Sequence, residues 1–197
     1  MIQKFYPFFI YALIQCITPG PNNLTCLYLG GTYGLKGTSK FLIGSIATVT
    51  IKCFLCGALN LVLADLMPGI VNVLKWLGAA YMVYLAYIMA KSGWRDEQSF
   101  SAQQTESSIR SGVILQLLNG KTWIVCISMF AVYIIPVSAK LSAVFWCTLV
   151  FAVLCLVTSL IWTLFGNALR NFISQHRKPF AVIMALSLLY CAVTAVL

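Results

Sequence analysis

The feature that most constrains this chain is an uncharged stretch, residues 5–35, that is interrupted at residues 18–23 by Thr-Pro-Gly-Pro-Asn-Asn. The stretch is longer than the ~20 apolar residues that a helix needs to cross a membrane. Two prolines within it lack backbone donors and therefore leave carbonyls of the preceding turn without helical partners. Unsatisfied backbone inside a membrane is tolerated only where it contacts protein or lines a polar cavity. The interruption therefore predicts a binding site.

The composition extends the membrane assignment to the whole chain. Of its 197 residues, 61% are hydrophobic and 9% are charged, whereas a soluble domain carries about 25% charged residues. The net charge of +9 arises from 13 Lys and Arg against four acids. Most of these basic residues flank apolar runs, where they act as topology signals. The charge therefore does not indicate nucleic acid as a partner.

Six apolar runs have the length of a membrane span and are continuous rather than alternating, which predicts helices and not strands. We therefore expect an all-α membrane protein with six transmembrane helices. The runs are residues 5–29, 41–63, 67–90, 112–137, 141–169 and 179–197. The first run is too long for a cleaved signal sequence and is expected to be retained.

The longest polar segment, within residues 92–110, divides a single transmembrane domain, residues 1–197, into two halves of three spans each. Half one covers residues 1–91 and half two covers residues 111–197. Basic residues are concentrated on one side of the predicted spans, which is expected to be cytoplasmic. On that side lie the predicted loops between spans one and two (residues 30–40), three and four, and five and six. They contain Lys36, Lys40, Lys91, Arg95, Arg110, Arg170, Arg177 and Lys178, and the other side has Lys4, Lys75 and Lys140. Both termini are then predicted to lie outside.

Three spans per half is an odd number, so the second half runs through the membrane inverted relative to the first. Transporters built from inverted repeats bind substrate where helices are interrupted at corresponding positions of the two halves. The first span of half one is interrupted at residues 18–23, and the first span of half two contains Asn119-Gly120-Lys121 at a comparable depth. This pairing predicts a transporter.

The first-span motif Thr18-Pro19-Gly20-Pro21-Asn22-Asn23-Leu24 resembles that of the LysE/RhtB family of bacterial amino-acid exporters. Length, number of spans and the turn Gly34-Leu35-Lys36-Gly37 are also similar. In the third span, residues 77–81 with Tyr84 resemble the family's small-residue and tyrosine segment. Asn119-Gly120-Lys121, with Gly112, corresponds to a motif that usually reads Asn-Pro-Lys.

The resemblance implies a multi-pass protein of the bacterial cytoplasmic membrane that exports amino acids or close derivatives, driven by the proton gradient. Two departures stand out. Gly120 replaces the family's proline and is expected to soften the second interruption, although glycine still permits an irregular backbone. Lys52, in the middle of the second span, matches nothing in the family pattern.

The residues themselves predict how an amino acid is held. The helix that starts at Pro21 offers free amides at its positive end to a carboxylate. The helix that ends near Thr18 offers freed carbonyls, including those of Gln15 and Ile17, to an ammonium. The predicted substrate-binding residues are Thr18, Pro19, Gly20, Pro21, Asn22, Asn23, Asn119, Lys121 and Tyr81. The alternative is a packing kink without a ligand, and Tyr81 fits packing as well as it fits a cavity wall.

A lysine at the bilayer centre costs about 2.5–3.5 kcal/mol to insert, so a lysine found there indicates a function. Lys121 and Lys52 are therefore the two candidates for coupling transport to protons. Either freed carbonyls hold them, or they lose their protons readily because burial disfavours the charged form. A coupling lysine would take the substrate carboxylate in one state and cycle a proton in another. The alternative is a structural lysine that extends towards the membrane surface.

The near-absence of acids within the spans favours small neutral substrates over cationic ones. A divalent metal cation exporter is the alternative function, since related families move such ions and the chain has eight cysteines. Cys53 and Cys56 have metal or redox spacing, but no second pair completes a tetrahedral site. The chain is not expected to be an enzyme or to need a cofactor. Besides the substrate, its expected partners are membrane lipid and protons, and association into a homo-oligomer stays open.

Overall fold

All regular structure that the computed structural model describes is helical. It describes residues 5–61, 76, 79–80, 83–87, 90–91 and 107–196. The predicted third span, the polar linker, Tyr81 and all four acids lie wholly or largely outside these residues. The helices are α1 (Tyr6–Ile17), α2 (Pro21–Asn60), α3 (Ile109–Leu118), α4 (Gly120–Ser128), α5 (Leu141–Ala168), α6 (Arg170–Gln175) and α7 (Arg177–Val196). The chain continues from α4 as a π-helix, Met129–Ile134.

Two of the described helices, and a third bent pair, have the length and composition of membrane spans. α2 and α5 are each long and apolar enough to cross a membrane, and α3 with the helix from Gly120 to Ile134 qualifies as a third span bent by 61°. Large apolar side chains such as Trp146, Ile161 and Ile183 are more than half exposed, as expected for surfaces that face lipid. The all-α membrane class is therefore confirmed, whereas the six-span count remains a prediction.

The chain reverses direction within α2 at Gly34, where the backbone takes a positive φ of 69°. The Ser45 hydroxyl donates to Asn22 Oδ1 at 2.7 Å across this reversal. A straight helix would separate residues 22 and 45 by about 34 Å, so residues 21–33 and 35–60 form two arms of a hairpin. We refer to them as the first and second arms.

The predicted loop at residues 30–40 is therefore wrong, because these residues are helical except at Gly34. A single left-handed residue completes the turn, and glycine takes that conformation without steric cost. Lys36 and Lys40, which the sequence assigned to a loop, are exposed on the first turns of the second arm.

Two helix crossings beside this hairpin bring backbone against backbone. A Cβ added at Gly30 would overlap the Thr163 carbonyl of α5, and one added at Gly44 would overlap the Ile109 carbonyl of α3. Glycines on the partner helices, Gly166 and Gly112, allow the same approach from the other side. Small residues at crossings are how membrane helices gain close packing. The two crossings fasten α5 to the first arm and α3 to the second.

We expect Gly44→Ala to destabilise the protein by about 1–3 kcal/mol, because its methyl group would force α3 away from the second arm. In detergent the midpoint of thermal unfolding should fall by several degrees. Ala47→Leu, a larger change at an exposed position of the same arm, serves as the control and should leave the midpoint unchanged. A wild-type midpoint for Gly44→Ala would contradict the close crossing.

Candidate functional site

The first interruption opens the end of α1 to side-chain donors. α1 ends at Ile17 and α2 begins at Pro21. The Lys121 ammonium donates to the Gln15 carbonyl at 3.1 Å and to the Thr18 carbonyl at 3.0 Å. The freed carbonyl predicted at Gln15 is thus occupied by a cation of the protein itself. The second carbonyl that this ammonium contacts is that of Thr18, and the role predicted for the Ile17 carbonyl stays a prediction.

Asn23 ties the end of α1 to the start of α2. Its side-chain amide donates to the Cys16 carbonyl at 2.7 Å and to the Thr18 carbonyl at 3.1 Å. Thr18 therefore accepts from both Asn23 and Lys121. Buried amides of this kind are almost always hydrogen-bonded, and Asn23 is 7% exposed. The Asn23 side chain thus satisfies two of the carbonyls at the end of α1.

Asn22 joins the first arm to α5, the second arm and α3. Its Nδ2 donates to Ser159 Oγ at 2.9 Å. Its Oδ1 accepts from Ser45 Oγ at 2.7 Å and from Gln116 Nε2 at 3.4 Å. The sequence assigned this side chain to substrate binding, but both its Nδ2 and its Oδ1 are hydrogen-bonded to other side chains of the protein. The backbone amides of the first turn of α2 have no side-chain cap.

The second interruption is sharp. α3 ends at Leu118 and α4 begins at Gly120, with Asn119 between them in extended backbone (φ −76°, ψ 92°) and a bend of 61°. The expectation that Gly120 softens this break is wrong. The Asn119 carbonyl accepts from the Thr122 hydroxyl at 2.9 Å and from the Thr122 amide at 3.2 Å. These bonds begin α4 directly after the bend, without a proline.

Lys52 reaches this second interruption from the second arm. It is 2% exposed. Its ammonium donates to the Gln116 carbonyl at 2.6 Å and to the Thr122 hydroxyl, and it lies 5.1 Å from the centroid of the Trp123 ring. The possibility that freed carbonyls hold the buried lysines therefore describes Lys52 as well as Lys121.

Two neighbouring cavities meet at Lys121. The inner one, about 40 Å³, lies between the two interruptions, and the outer one is about 340 Å³. Only the outer cavity reaches the ~300–1,000 Å³ typical of ligand pockets. Both are lined by Lys121 together with Gln15, Thr18, Pro21 and Val125. The two cavities therefore adjoin at these shared residues.

Most of the predicted site residues converge on the inner cavity. Those that line it are Thr18, Gly20, Pro21, Asn22, Asn23, Asn119 and Lys121. Pro19 lines the outer cavity, and Tyr81 lies outside the described residues. Lys52 lines neither cavity, but its partner Thr122 lines the inner one. Halves of the sequence that are about 100 residues apart thus meet at one place.

The sequence missed several polar residues of the inner cavity, notably Gln116, Thr122, Ser159 and Cys155. Gln116 carried a usable signal, because a glutamine inside an apolar run is costly unless it is bonded. Its Nε2 donates to Ser45 Oγ at 3.1 Å. Serine, threonine and cysteine are too common in membrane helices to be singled out by type alone.

One buried acceptor of the site is unmatched. Asn119 Oδ1 has no hydrogen-bond partner among the residues described, although Asn119 is 3% exposed. A buried polar atom without a partner is costly, and this one belongs to a residue that lines the inner cavity. Its chemistry suits a donor such as an ammonium or a water molecule.

A metal site of ordinary composition is not found in the described part of the chain, where no three His, Cys, Asp or Glu residues are grouped. Two thiols that line the inner cavity, Cys16 and Cys155, have their sulfur atoms 3.6 Å apart.

Comparison with known proteins identifies relatives along nearly the whole chain. A family model described as LysE type translocator matches residues 13–197. The cysteine/O-acetylserine efflux proteins of Escherichia coli (strain K12) and Shigella flexneri serotype 5b are each 29% identical over 186 residues. Each match covers 94% of this chain and 94% of the relative. No solved structure matches the chain.

Proposed function

The chain belongs to the LysE type translocator family, and from this premise we propose that it exports small neutral amino acids or close derivatives across the bacterial cytoplasmic membrane. Export of this general class fits the efflux proteins to which it is similar. The proposal adds a binding site at the two helix interruptions, coupling to protons through Lys121, and a preference for neutral substrates.

The observation that carries the proposal is the position of the Lys121 ammonium on the carbonyls of Gln15 and Thr18. An amino acid has an ammonium group of the same kind. The substrate ammonium would therefore compete with Lys121 for these two carbonyls. When substrate displaces the lysine, the freed Lys121 ammonium becomes a partner for the substrate carboxylate.

The substrate carboxylate has a second group to bind near Lys121. The uncapped first turn of α2 offers the backbone amides of Asn22 and Asn23, which carry the positive end of the helix dipole. Both the amides and Lys121 adjoin the inner cavity. Asn119 Oδ1, which lacks a partner among the described residues, is a further acceptor for the substrate ammonium.

We infer that Lys121 also couples export to protons. An empty transporter must return to its starting state, and the charged ammonium of Lys121 binds the α1 carbonyls more strongly than the neutral amine would. Release of a proton from Lys121 in one state and its recovery in the other would link each cycle to the proton gradient. The intermediate exposure of Lys121 beside two cavities supports this role.

The choice of neutral substrates rests on the lining of the inner cavity. Its described side chains offer hydroxyls at Thr158 and Ser159 and thiols at Cys16 and Cys155. Lys121 is the only charged group among its lining residues, so a cationic side chain would be repelled there. The named cargo of the relatives, cysteine and O-acetylserine, consists of small amino acids without a charged side chain.

The proposed topology has six spans in two inverted halves, with both termini outside. The 12 residues of α1 and residues 21–33 together make about 37 Å of helix, enough for one interrupted span. The bent pair from Ile109 to Ile134 would be its counterpart in the second half. The positive residues Lys36 and Lys40 at the hairpin turn then lie on the cytoplasmic side.

The proposal is tested by measuring the release of amino acids from bacterial cells that express the chain. Cells loaded with O-acetylserine, cysteine or threonine should release them faster than cells that express Lys121→Met, and an uncoupler should abolish the difference. Lysine and arginine should show no difference. Cadmium and zinc tolerance is measured in parallel. A rise in metal tolerance without amino-acid release would instead support the alternative of a divalent metal cation exporter.

A further inference from the structure

The second helix interruption contains a buried ammonium that the proposed export cycle does not use. Lys52 Nζ contacts the Gln116 carbonyl, the Thr122 hydroxyl and the face of Trp123. Gln116 belongs to the last turn of α3, whose carbonyls have no partner farther along the helix. Thr122 belongs to the first turn of α4. Lys52 therefore bridges the two half-helices at the bend.

These partners have the chemistry of a site for a monovalent cation. The carbonyl end of a helix carries a partial negative charge, and an aromatic face attracts cations. In transporters with interrupted helices, the carbonyls at the end of a half-helix bind coupling ions such as Na⁺. Here an ammonium on a four-carbon tether stands at such a position.

The two interruptions are reciprocal. The end of α1 holds the ammonium of Lys121 from the second half, and the end of α3 holds the ammonium of Lys52 from the first half. Their surroundings differ. Lys121 adjoins both cavities, whereas Lys52 lines neither and is 2% exposed. A ligand can therefore displace the Lys121 ammonium from its carbonyls, whereas the Lys52 ammonium remains bound to its own.

We propose that the Lys52 ammonium is a tethered monovalent cation that fills a cation site formed by the Gln116 carbonyl, the Thr122 hydroxyl and the Trp123 ring. A free monovalent cation is therefore not required while Lys52 is present. Removal of the side chain down to Cβ should expose the site and make the protein depend on a cation from solution.

The cation at this position holds Gln116 and Thr122, two residues that line the inner cavity, in place. The Thr122 hydroxyl donates to the Asn119 carbonyl at 2.9 Å, and the Gln116 amide donates to Ser45 at 3.1 Å. Both residues line the inner cavity. Loss of the cation should therefore disturb the bend that brings Lys121 to the end of α1. Lys52 is a positioning residue and does not touch substrate in this scheme.

The test compares Lys52→Ala with Lys52→Met in purified protein. In proteoliposomes Lys52→Ala should lose export about tenfold or more in choline chloride. Propylammonium, which matches the deleted atoms, should restore export, and potassium or sodium at equal ionic strength should restore it in part. Lys52→Met should be equally inactive but should not respond, because its side chain fills the space without the charge. Lys140→Ala, at an exposed site, controls for general salt effects.

A second readout needs no substrate. In detergent, propylammonium should raise the midpoint of thermal unfolding of Lys52→Ala by about 2–4 °C, and it should not move that of Lys52→Met or the wild type. The export readout rests on the proposed function, whereas the thermal readout does not, so the two proposals can fail separately.

The proposal is overturned if Lys52→Met exports at the wild-type rate, since the charge would then be unnecessary. It is also overturned if Lys52→Ala gains neither export nor thermal stability from any of the three cations. Loss of uphill export alone, without a response to any cation, would return Lys52 to the proton-cycling role expected from the sequence.

Discussion

Lys121→Met is expected to lower export by about 100-fold or more. The substitution removes the ammonium that contacts the carbonyls of Gln15 and Thr18 and that becomes the proposed partner of the substrate carboxylate. A hydrogen bond to a charged group is worth about 1.5–3 kcal/mol. About 2.7 kcal/mol corresponds to a 100-fold change in rate. The measurement is the initial rate of O-acetylserine transport in proteoliposomes, with and without an imposed pH gradient.

Two companion variants separate the charge of Lys121 from its position. Lys121→Arg keeps the charge and should retain part of the downhill rate. Gly20→Ala keeps the lysine but crowds it, since an added Cβ would lie 3.1 Å from Lys121 Cδ and 3.3 Å from its Nζ. It should cause a smaller loss. Lys140→Met, at an exposed position, is the matched control. Uphill export that survives in Lys121→Met would remove the coupling role.

The first interruption was predictable because proline has a local effect. The missing donors at Pro19 and Pro21 indicate that α1 must end near Thr18, and the free Gln15 carbonyl follows from helical spacing. The roles of the Cys16 and Thr18 carbonyls were not predictable in this way. They depend on the turn of the Asn23 side chain back towards α1, which backbone periodicity does not determine.

The second interruption, unlike the first, could not be predicted from the local sequence. From sequence it is a single Asn-Gly-Lys without a proline, and a gentle bend was expected. The observed bend of 61° is held by groups that are distant in sequence, above all Lys52, which is 64 residues from Gln116. A lysine in an apolar run indicates that something must bind it, but only the fold reveals which carbonyl does so.

Contacts between residues that are distant in sequence also explain the wrong prediction at the hairpin turn. Residues 30–40 were predicted as a loop because they lie between the first two apolar runs. The close crossings at Gly30 and Gly44 instead favour helix up to both sides of Gly34. Tertiary packing thus overrides the low helix propensity of these residues.

Asn23→Asp is expected to reduce export by about 100-fold or more with almost no change in volume. The aspartate cannot donate, so the carbonyls of Cys16 and Thr18 lose their 2.7 Å and 3.1 Å bonds and face a carboxylate instead. An unpaired acceptor at a buried position costs about 1–3 kcal/mol, and more if it is charged. The new carboxylate would also attract the Lys121 ammonium and hold it away from substrate.

Asn23→Asp keeps the Lys121 side chain and changes the groups that it meets at the end of α1. We expect uphill export and exchange of labelled O-acetylserine to fail together, since substrate can no longer displace a lysine held by a full negative charge. Asn171→Asp, an exposed substitution on α6, controls for added charge. Lys121→Met combined with Asn23→Asp should be no worse than Asn23→Asp alone, because the residues act through the same carbonyl of Thr18. Export near the wild-type rate in a stably folded Asn23→Asp protein would show that the geometry of the α1 end does not determine binding.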